Sequence, residues 1–143
     1  MTTIEEHKIK IEEHLEQIEN AIDQGAETKP VSLGFHCSAC SIQFLELYLH
    51  LKNLIPIGKI IKHDWFKKPQ IGQKIEPLIE RKLNVNFPRK NEIYDLIYSL
   101  EEGRTSLVYG SPIKEQITNT LINFNNLKEI FQEFFEDEGF KIK

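Results

Sequence analysis

Apolar residues recur every three or four positions along most of the chain, and no stretch alternates over a useful length. This spacing predicts helices throughout and no sheet. Thr3 and Glu6 form a capping pair that predicts a first helix running to about Gln24. The buried stripe of that helix is expected to contain Ile4, Ile11, Leu15, Ile18 and Ile22.

A second helix is predicted over residues 32–55, where apolar side chains occur nearly all round, and Pro56 is expected to end it. A helix that is apolar on every side belongs in the middle of a bundle. Its first half is rich in small residues that would let a neighbouring backbone approach closely, namely Gly34, Ser38, Ala39 and Ser41.

Shorter helices are predicted at 57–65 and 72–83, followed by a turn at 84–88. A long helix is then predicted between Pro88 and Pro112. Its apolar stripe consists of Ile93, Leu96, Ile97, Leu100, Leu107 and Val108.

The last helix is predicted to begin with Ser111 as its N-cap and Pro112 at its first position. Its buried stripe is expected to contain Ile113, Ile117, Leu121, Phe124, Leu127, Phe131, Phe134 and Phe135. We therefore predict a single all-α domain over residues 1–143, an antiparallel bundle of four main helices joined by short connecting helices.

One charged residue interrupts the stripe of the long helix. Arg104 falls on the apolar face, and a guanidinium buried there without a partner would be strongly unfavourable. Glu46, the only acid between positions 31 and 51, is a candidate counter-charge, and Glu101 or a residue of a second subunit is another. Two alternatives stay open: Glu46 marks a solvent-facing edge, or Arg104 extends its head group into solvent.

Length and composition exclude several classes of protein. A chain of 143 residues can bury a core without disulfides or metal, and its apolar and charged fractions are typical of globular domains. The polar N-terminal sequence lacks the apolar core of a signal peptide, and no stretch reaches the roughly 20 apolar residues that span a bilayer. A soluble cytoplasmic protein with no membrane association is the expectation.

The net charge of −4 is unevenly distributed. Residues 58–90 contain nine lysines and arginines against three acids, whereas the segments on either side are acidic. His63, Trp65 and Phe66 interrupt this basic stretch, a mixture suited to attraction of an RNA backbone and to base stacking. The alternative is a solvated connector whose aromatic residues anchor it to the core. The candidate substrate-binding residues are Lys62, His63, Lys67 and Lys68.

Cys37 and Cys40 form a Cys-x-x-Cys motif directly after His36. Zinc would need four ligands, and no second cysteine pair exists, so only a composite site that adds His63 could form. Small cysteines packed in the central helix explain the motif equally well, and no cofactor is predicted. The sequence also lacks a Gly-x-Ser-x-Gly elbow, a phosphate-binding glycine loop and a His-Glu-x-x-His motif.

The layout resembles the HEPN superfamily of small all-α domains. The points of likeness are a first helix ending at Ala21-Ile22, the small and aromatic residues at 38–44 of the second helix, and the segment from Arg104 to Pro112 before a final helix. The resemblance extends over roughly the whole chain in the arrangement of its helices, and the sequence motif that supports it is short.

Many HEPN proteins carry an arginine, a short spacer and a histidine. Here the matching string runs from Arg104 through Thr105 to Tyr109, so that a tyrosine occupies the histidine position. Active members are often metal-independent endoribonucleases that work as dimers, including toxins paired with nucleotidyltransferase-like antitoxins. The resemblance therefore implies a homodimer with RNA as its partner, and Arg104, Thr105 and Tyr109 as the catalytic positions.

Tyrosine changes the chemistry that the resemblance implies. Its ordinary pKa of about 10 makes it a hydroxyl donor and a poor general base at neutral pH. Arg104 and Tyr109 also lie about 140° apart on an ideal helix, so they would meet near a two-fold axis or where the helix distorts near Gly103. Two functions stay open: a HEPN-like RNA-binding protein or ribonuclease, active or degenerate, and a non-catalytic dimeric interaction module in which Arg104 makes a structural ion pair.

Overall fold

The computed structural model describes residues 3–56, 58–67 and 76–142. Within them the chain forms five α-helices and no strand, which confirms the all-α prediction. The helices are α1 (Ile4–Asp23), α2 (Pro30–Leu51), α3 (Leu78–Lys82), α4 (Lys90–Arg104) and α5 (Lys114–Asp137). No helix in this part of the chain is long and apolar enough to cross a bilayer.

α2 is the central helix of the fold, as its apolar surface predicts. It packs against α1, α4 and α5. Most of its residues from Leu33 to His50 are buried. Phe44 lies in the middle of the core, where its ring stacks on those of Phe124 and Phe131 at centroid distances of 6.0 and 5.5 Å.

α1 begins where the capping pair predicts. The Thr3 hydroxyl accepts a hydrogen bond from the Glu6 backbone N–H at 3.1 Å, and the Glu6 carboxylate accepts one from the Thr3 N–H at 2.7 Å. The predicted stripe of this helix is only partly correct. Ile4 and Ile22 are exposed in its first and last turns, while His7 is buried in the contact with α2.

α2 ends earlier than the position of Pro56 predicts. The helix stops at Leu51, and Asn53 adopts a left-handed backbone conformation with φ of 56°. The Leu54 N–H then donates to the Leu49 carbonyl at 2.8 Å. The predicted end is wrong because asparagine tolerates positive φ, and this reversal satisfies a carbonyl of the last turn before the proline is reached.

The connecting segment contains less helix than predicted. Of residues 57–65, only positions 63–65 form a single 3₁₀ turn, and the rest of its described part is not helical. Of residues 72–83, only α3 is helical within the described part, and positions 57 and 68–75 lie outside the described residues. A short run of apolar residues at helical spacing does not by itself nucleate a helix, so tertiary contacts determine the backbone path of this connecting segment.

The start of α5 also differs from the prediction. Ser111 and Pro112 lie outside the helix, which begins at Lys114. The Ile113 N–H donates to the Gln116 side-chain oxygen at 3.0 Å, so a glutamine caps this end in place of the predicted serine. Ile113 is consequently exposed and takes no part in the buried stripe.

The small residues of α2 allow the end of α4 to approach closely, as predicted. Gly34 is buried, and a Cβ added to it would lie 2.8 Å from the Leu107 Cβ and 3.3 Å from the Val108 Cγ2. The same added atom would lie 3.6 Å from the Arg104 Cα. The missing side chain at Gly34 therefore sets how closely the segment with Arg104 packs on α2.

Gly34→Ala is expected to destabilise the protein by about 1–3 kcal/mol, because the added methyl group would overlap Leu107 and push its segment away from α2. Without that overlap, alanine would instead stabilise the helix by up to about 1 kcal/mol. Chemical denaturation measures the difference, with Ser32→Ala on the same helix as the control. An unchanged or higher free energy of unfolding for Gly34→Ala would contradict the close approach.

Candidate functional site

A groove of about 350 Å³ opens between α2, the segment around the 3₁₀ turn and the end of α4. Its lining residues come from these three distant parts of the sequence. They are Ala39, Ile42, Gln43, Ile61, Lys62, His63, Asp64 and Arg104. The fold thus brings Arg104 together with Lys62 and His63, two of the residues predicted to bind substrate.

Arg104 is half-buried and lies over an aromatic ring. Its guanidinium carbon is 5.0 Å from the ring centroid of Phe35, a distance typical of a cation–π contact. No ion pair among the described residues involves Arg104. The expectation of a carboxylate counter-charge is therefore wrong for this chain by itself, because an aromatic face covers the guanidinium, and its N–H groups donate to no carboxylate among the described residues.

Glu101 pairs with His63 and forms no ion pair with Arg104. Its carboxylate is buried one turn before Arg104 on α4. Oε1 lies 2.8 Å from the Nδ1 of His63, and Oε2 accepts a hydrogen bond from the Ser38 hydroxyl at 3.2 Å. These contacts give a partner to each oxygen of a buried acid, and they hold the His63 imidazole at the wall of the groove.

The backbone departs from α-helical geometry directly after Arg104. Thr105–Tyr109 form a π-helical turn, in which a five-residue hydrogen-bond spacing replaces the usual four. Position 109 consequently lies about one full turn after position 104. On an ideal α-helix the two side chains would instead be about 140° apart around the helix axis. Tyr109 is nevertheless 76% exposed and does not line the groove. Thr105 is also exposed, and its hydroxyl donates to the Glu101 carbonyl at 3.3 Å.

The basic stretch is only partly available to a ligand. Phe66 is buried with its ring edge against Tyr94 at 5.3 Å, and Trp65 is half-buried. The prediction of a core anchor is therefore correct for Phe66, which excludes base stacking on it. Lys67 is exposed but does not line the groove, and Lys68 lies outside the described residues.

The Cys-x-x-Cys motif lies in the core. Cys37 and Cys40 are free thiols, and burial raises the pKa of Cys37 to about 12 and that of Cys40 well above its ordinary value. His36 contacts α1 instead, where its Nδ1 lies 2.9 Å from the Nδ1 of His14. The composite site with His63 does not form. Where the structure describes the chain, no three His, Cys, Asp or Glu side chains are grouped to hold a metal ion.

A polar cluster, which sequence reasoning missed, lies between α1 and α2 and consists of His7, Gln43 and His50. The Nδ1 of His7 is 2.8 Å from the Gln43 Oε1, and the centroids of the His7 and His50 rings lie 5.1 Å apart with their planes tilted by 34°. The Nε2 atoms of both histidines are buried without a hydrogen-bond partner among the described residues. Burial lowers the pKa of both imidazoles, so the folded protein favours their neutral forms.

Glu46 is buried on α2 and does not line the groove. Burial raises the pKa of its carboxyl group from 4.5 to about 7, and the Ile61 backbone and the charge of Lys10 oppose the rise. Glu46 is therefore neither a solvent-facing edge nor the partner of Arg104. Positions 43, 46 and 50 share one face of α2, and this spacing is the sequence signal for the polar face.

Sequence reasoning also missed the arrangement of Ser38, His63 and Glu101. The sequence predicts His63 only as a substrate-binding residue and Glu101 only as a possible partner for Arg104. The sequence feature that could have placed Glu101 near the groove is its position three residues before Arg104, on the same face of α4. Nothing local in the sequence connects His63 to that face.

Comparisons with protein-family models, curated proteins and solved structures find no match to this chain. The groove is therefore characterised by its geometry and by the motif around Arg104. That geometry combines an arginine, a lysine and an oriented imidazole, which are groups that bind anions and transfer protons.

Glu46→Gln is expected to stabilise the protein above pH 7 and to have little effect near pH 4. The unfolded chain ionises this carboxyl group near pH 4.5 and the folded protein near pH 7, so stability is lost as the pH rises between these values. Glutamine removes that penalty of about 1–3 kcal/mol because it cannot ionise. Thermal denaturation across this pH range measures the effect, with exposed Glu19→Gln as the control. A stabilisation independent of pH would contradict the assignment.

Proposed function

We propose that this chain is a HEPN-like, dimeric RNA-binding protein that holds an RNA phosphate in the groove at Arg104 and cleaves the RNA there. The observation that carries the proposal is a guanidinium without a carboxylate partner among the described residues, placed at the wall of an open groove. The resemblance of the motif supplies RNA as the substrate class and attack by the 2′-hydroxyl as the reaction class. A nucleotidyltransferase-like antitoxin partner follows from the resemblance alone.

Arg104 suits a phosphate for two reasons. The contact with the Phe35 ring orients the guanidinium plane without using its N–H groups. Those N–H groups form a planar fork that matches two phosphate oxygens. Lys62 adds a second positive charge to the lining and Asp64 adds one carboxylate, so the ionised groove lining stays positive in a chain of net charge −4.

The surroundings of the groove favour a polyanion over a small anion. Lys67 is exposed just beyond the 3₁₀ turn, and the Lys59 ammonium lies 5.8 Å from the ring centroid of half-buried Trp65. These positive charges are spread along one segment that leads to the groove. An RNA chain can contact several of them with successive phosphates, whereas a single phosphate ion cannot.

Arg104→Ala is expected to weaken binding of a single-stranded RNA oligonucleotide by about tenfold or more, because a hydrogen-bonded charge contact contributes roughly 1.5–3 kcal/mol. Fluorescence anisotropy at low salt measures the Kd. Arg89→Ala removes the same charge at the opposite end of α4 and leaves the groove intact, so it is the matched control. Wild-type protein that fails to bind RNA at low salt, or equal losses in the two variants, would show that the proposal is wrong.

Exposed apolar side chains beside Arg104 support a dimer. Val31 is 55% exposed and Phe35 is 40% exposed, one turn apart on α2. Gly34 lies next to Phe35 and packs on the turn that ends at Tyr109, which is also exposed. Grouped exposed apolar residues are typical of interaction surfaces. The same observation favours the second candidate function, a non-catalytic dimeric interaction module.

Val31→Asp is expected to weaken the dimer by at least about tenfold, because an apolar interface leaves an introduced charge without solvation. Analytical ultracentrifugation measures the dimer dissociation constant, and Ile122→Asp on the exposed face of α5 is the matched control. A monomeric wild-type protein, or equal effects of both substitutions, would exclude a dimer at this surface. A dimer that does not bind RNA would favour the interaction module.

A further inference from the structure

The groove contains an imidazole whose orientation is fixed by a buried acid. The Nδ1 of His63 lies 2.8 Å from the Oε1 of Glu101. A carboxylate only accepts hydrogen bonds, so in the neutral ring Nδ1 carries the proton and Nε2 keeps its lone pair. The His63 side chain is 43% exposed and lines the groove, and that of Glu101 is only 9% exposed. Because Nδ1 is bonded to Glu101, Nε2 is the ring nitrogen that remains for a ligand.

The carboxylate of Glu101 is itself held in place. Its second oxygen accepts a hydrogen bond from the Ser38 hydroxyl at 3.2 Å, in the buried contact between α2 and α4. Rotation of the Glu101 side chain would break this bond together with the contact to His63. An acid held at both oxygens therefore keeps the imidazole in one tautomer and one direction.

We propose that His63 is the catalytic base of the RNA cleavage and that Glu101 is its positioning residue. This inference rests on the proposed function, because it assigns the proton-transfer group within the same groove. The motif position at which an imidazole is expected holds Tyr109, whose exposed side chain does not line the groove. His63 comes from a different segment, yet it lines the groove together with Arg104.

The reaction needs one proton acceptor and one cation near the phosphate. The Nε2 of His63 takes the proton of the 2′-hydroxyl, the 2′-oxygen bonds to the adjacent phosphorus, and the bond from phosphorus to the 5′-oxygen breaks. Arg104 stabilises the negative charge that develops on the phosphoryl oxygens. The leaving 5′-oxygen takes a proton from water, and His63 returns its proton to water. The products are a 2′,3′-cyclic phosphate and a 5′-hydroxyl, with no co-reactant consumed.

The decisive variant is His63→Asn in the full chain. An asparagine amide can still donate to Glu101 from near the Nδ1 position, while the Nε2 lone pair is lost. Cleavage of an RNA oligonucleotide is expected to slow by about 10²–10⁴-fold, the usual contribution of a general base. The Kd for RNA and the melting temperature are expected to stay near the wild-type values. Free imidazole is expected to restore part of the cleavage lost in His63→Ala.

Glu101→Gln tests the positioning role. We expect kcat to fall while KM changes little, because the substitution alters the direction and tautomer of His63 without touching the RNA. The NMR signal of the His63 Nδ1 proton should shift upfield or disappear at the same time. Glu102→Gln, at the exposed next position of α4, is the matched control and should leave both observations unchanged.

The outcomes separate this inference from the proposed function. Equal cleavage by the wild type and His63→Asn would overturn the role of His63 and leave RNA cleavage at Arg104 standing. A loss of RNA binding in His63→Asn as large as its loss of cleavage would also overturn it, because His63 would then be a binding residue. Wild-type protein that binds RNA without forming a cyclic phosphate end would overturn the inference, while the RNA-binding site would stand.

Discussion

The buried carboxylate of Glu101 is the interaction on which the arrangement of the groove depends. A buried acid is unfavourable unless its oxygens have partners, and here one partner comes from α2 and the other from the connecting segment. Ser38 and His63 satisfy the acid, and in doing so they join three segments that are distant in sequence. Arg104 follows one turn later on the same helix, so the imidazole held by Glu101 and the guanidinium line the same groove.

α2 supplies the other constraints on Arg104 from neighbouring positions. Gly34 provides the space that lets the end of α4 pack closely, and Phe35 provides the aromatic face under the guanidinium. Ser38, one turn further on, holds Glu101. Because these three residues lie along one stretch of a single helix, their relative positions follow from helical geometry, and the groove is built on a rigid element.

The two acids that were candidate partners for Arg104 have different roles, and neither forms an ion pair with it. Glu101 has a partner at each oxygen, whereas Glu46 is buried beside the Ile61 backbone, where burial raises its pKa to about 7. A charged residue at a position predicted to be buried indicates that the charge needs a partner, but the sequence does not identify that partner. An aromatic ring from α2 meets part of that need for Arg104, which a search for carboxylates alone could not find.

Local sequence determined the helical class, the central place of α2 and the cap of α1, because periodicity and the Thr3–Glu6 pair act over a few residues. It also singled out Arg104. Only the tertiary structure decided that His63 meets Glu101, 38 residues away, because that pairing depends on the path of a largely non-helical connecting segment. The π-helical turn after Arg104 likewise lies where the chain packs on Gly34, and no local pattern distinguishes it from an ordinary helix.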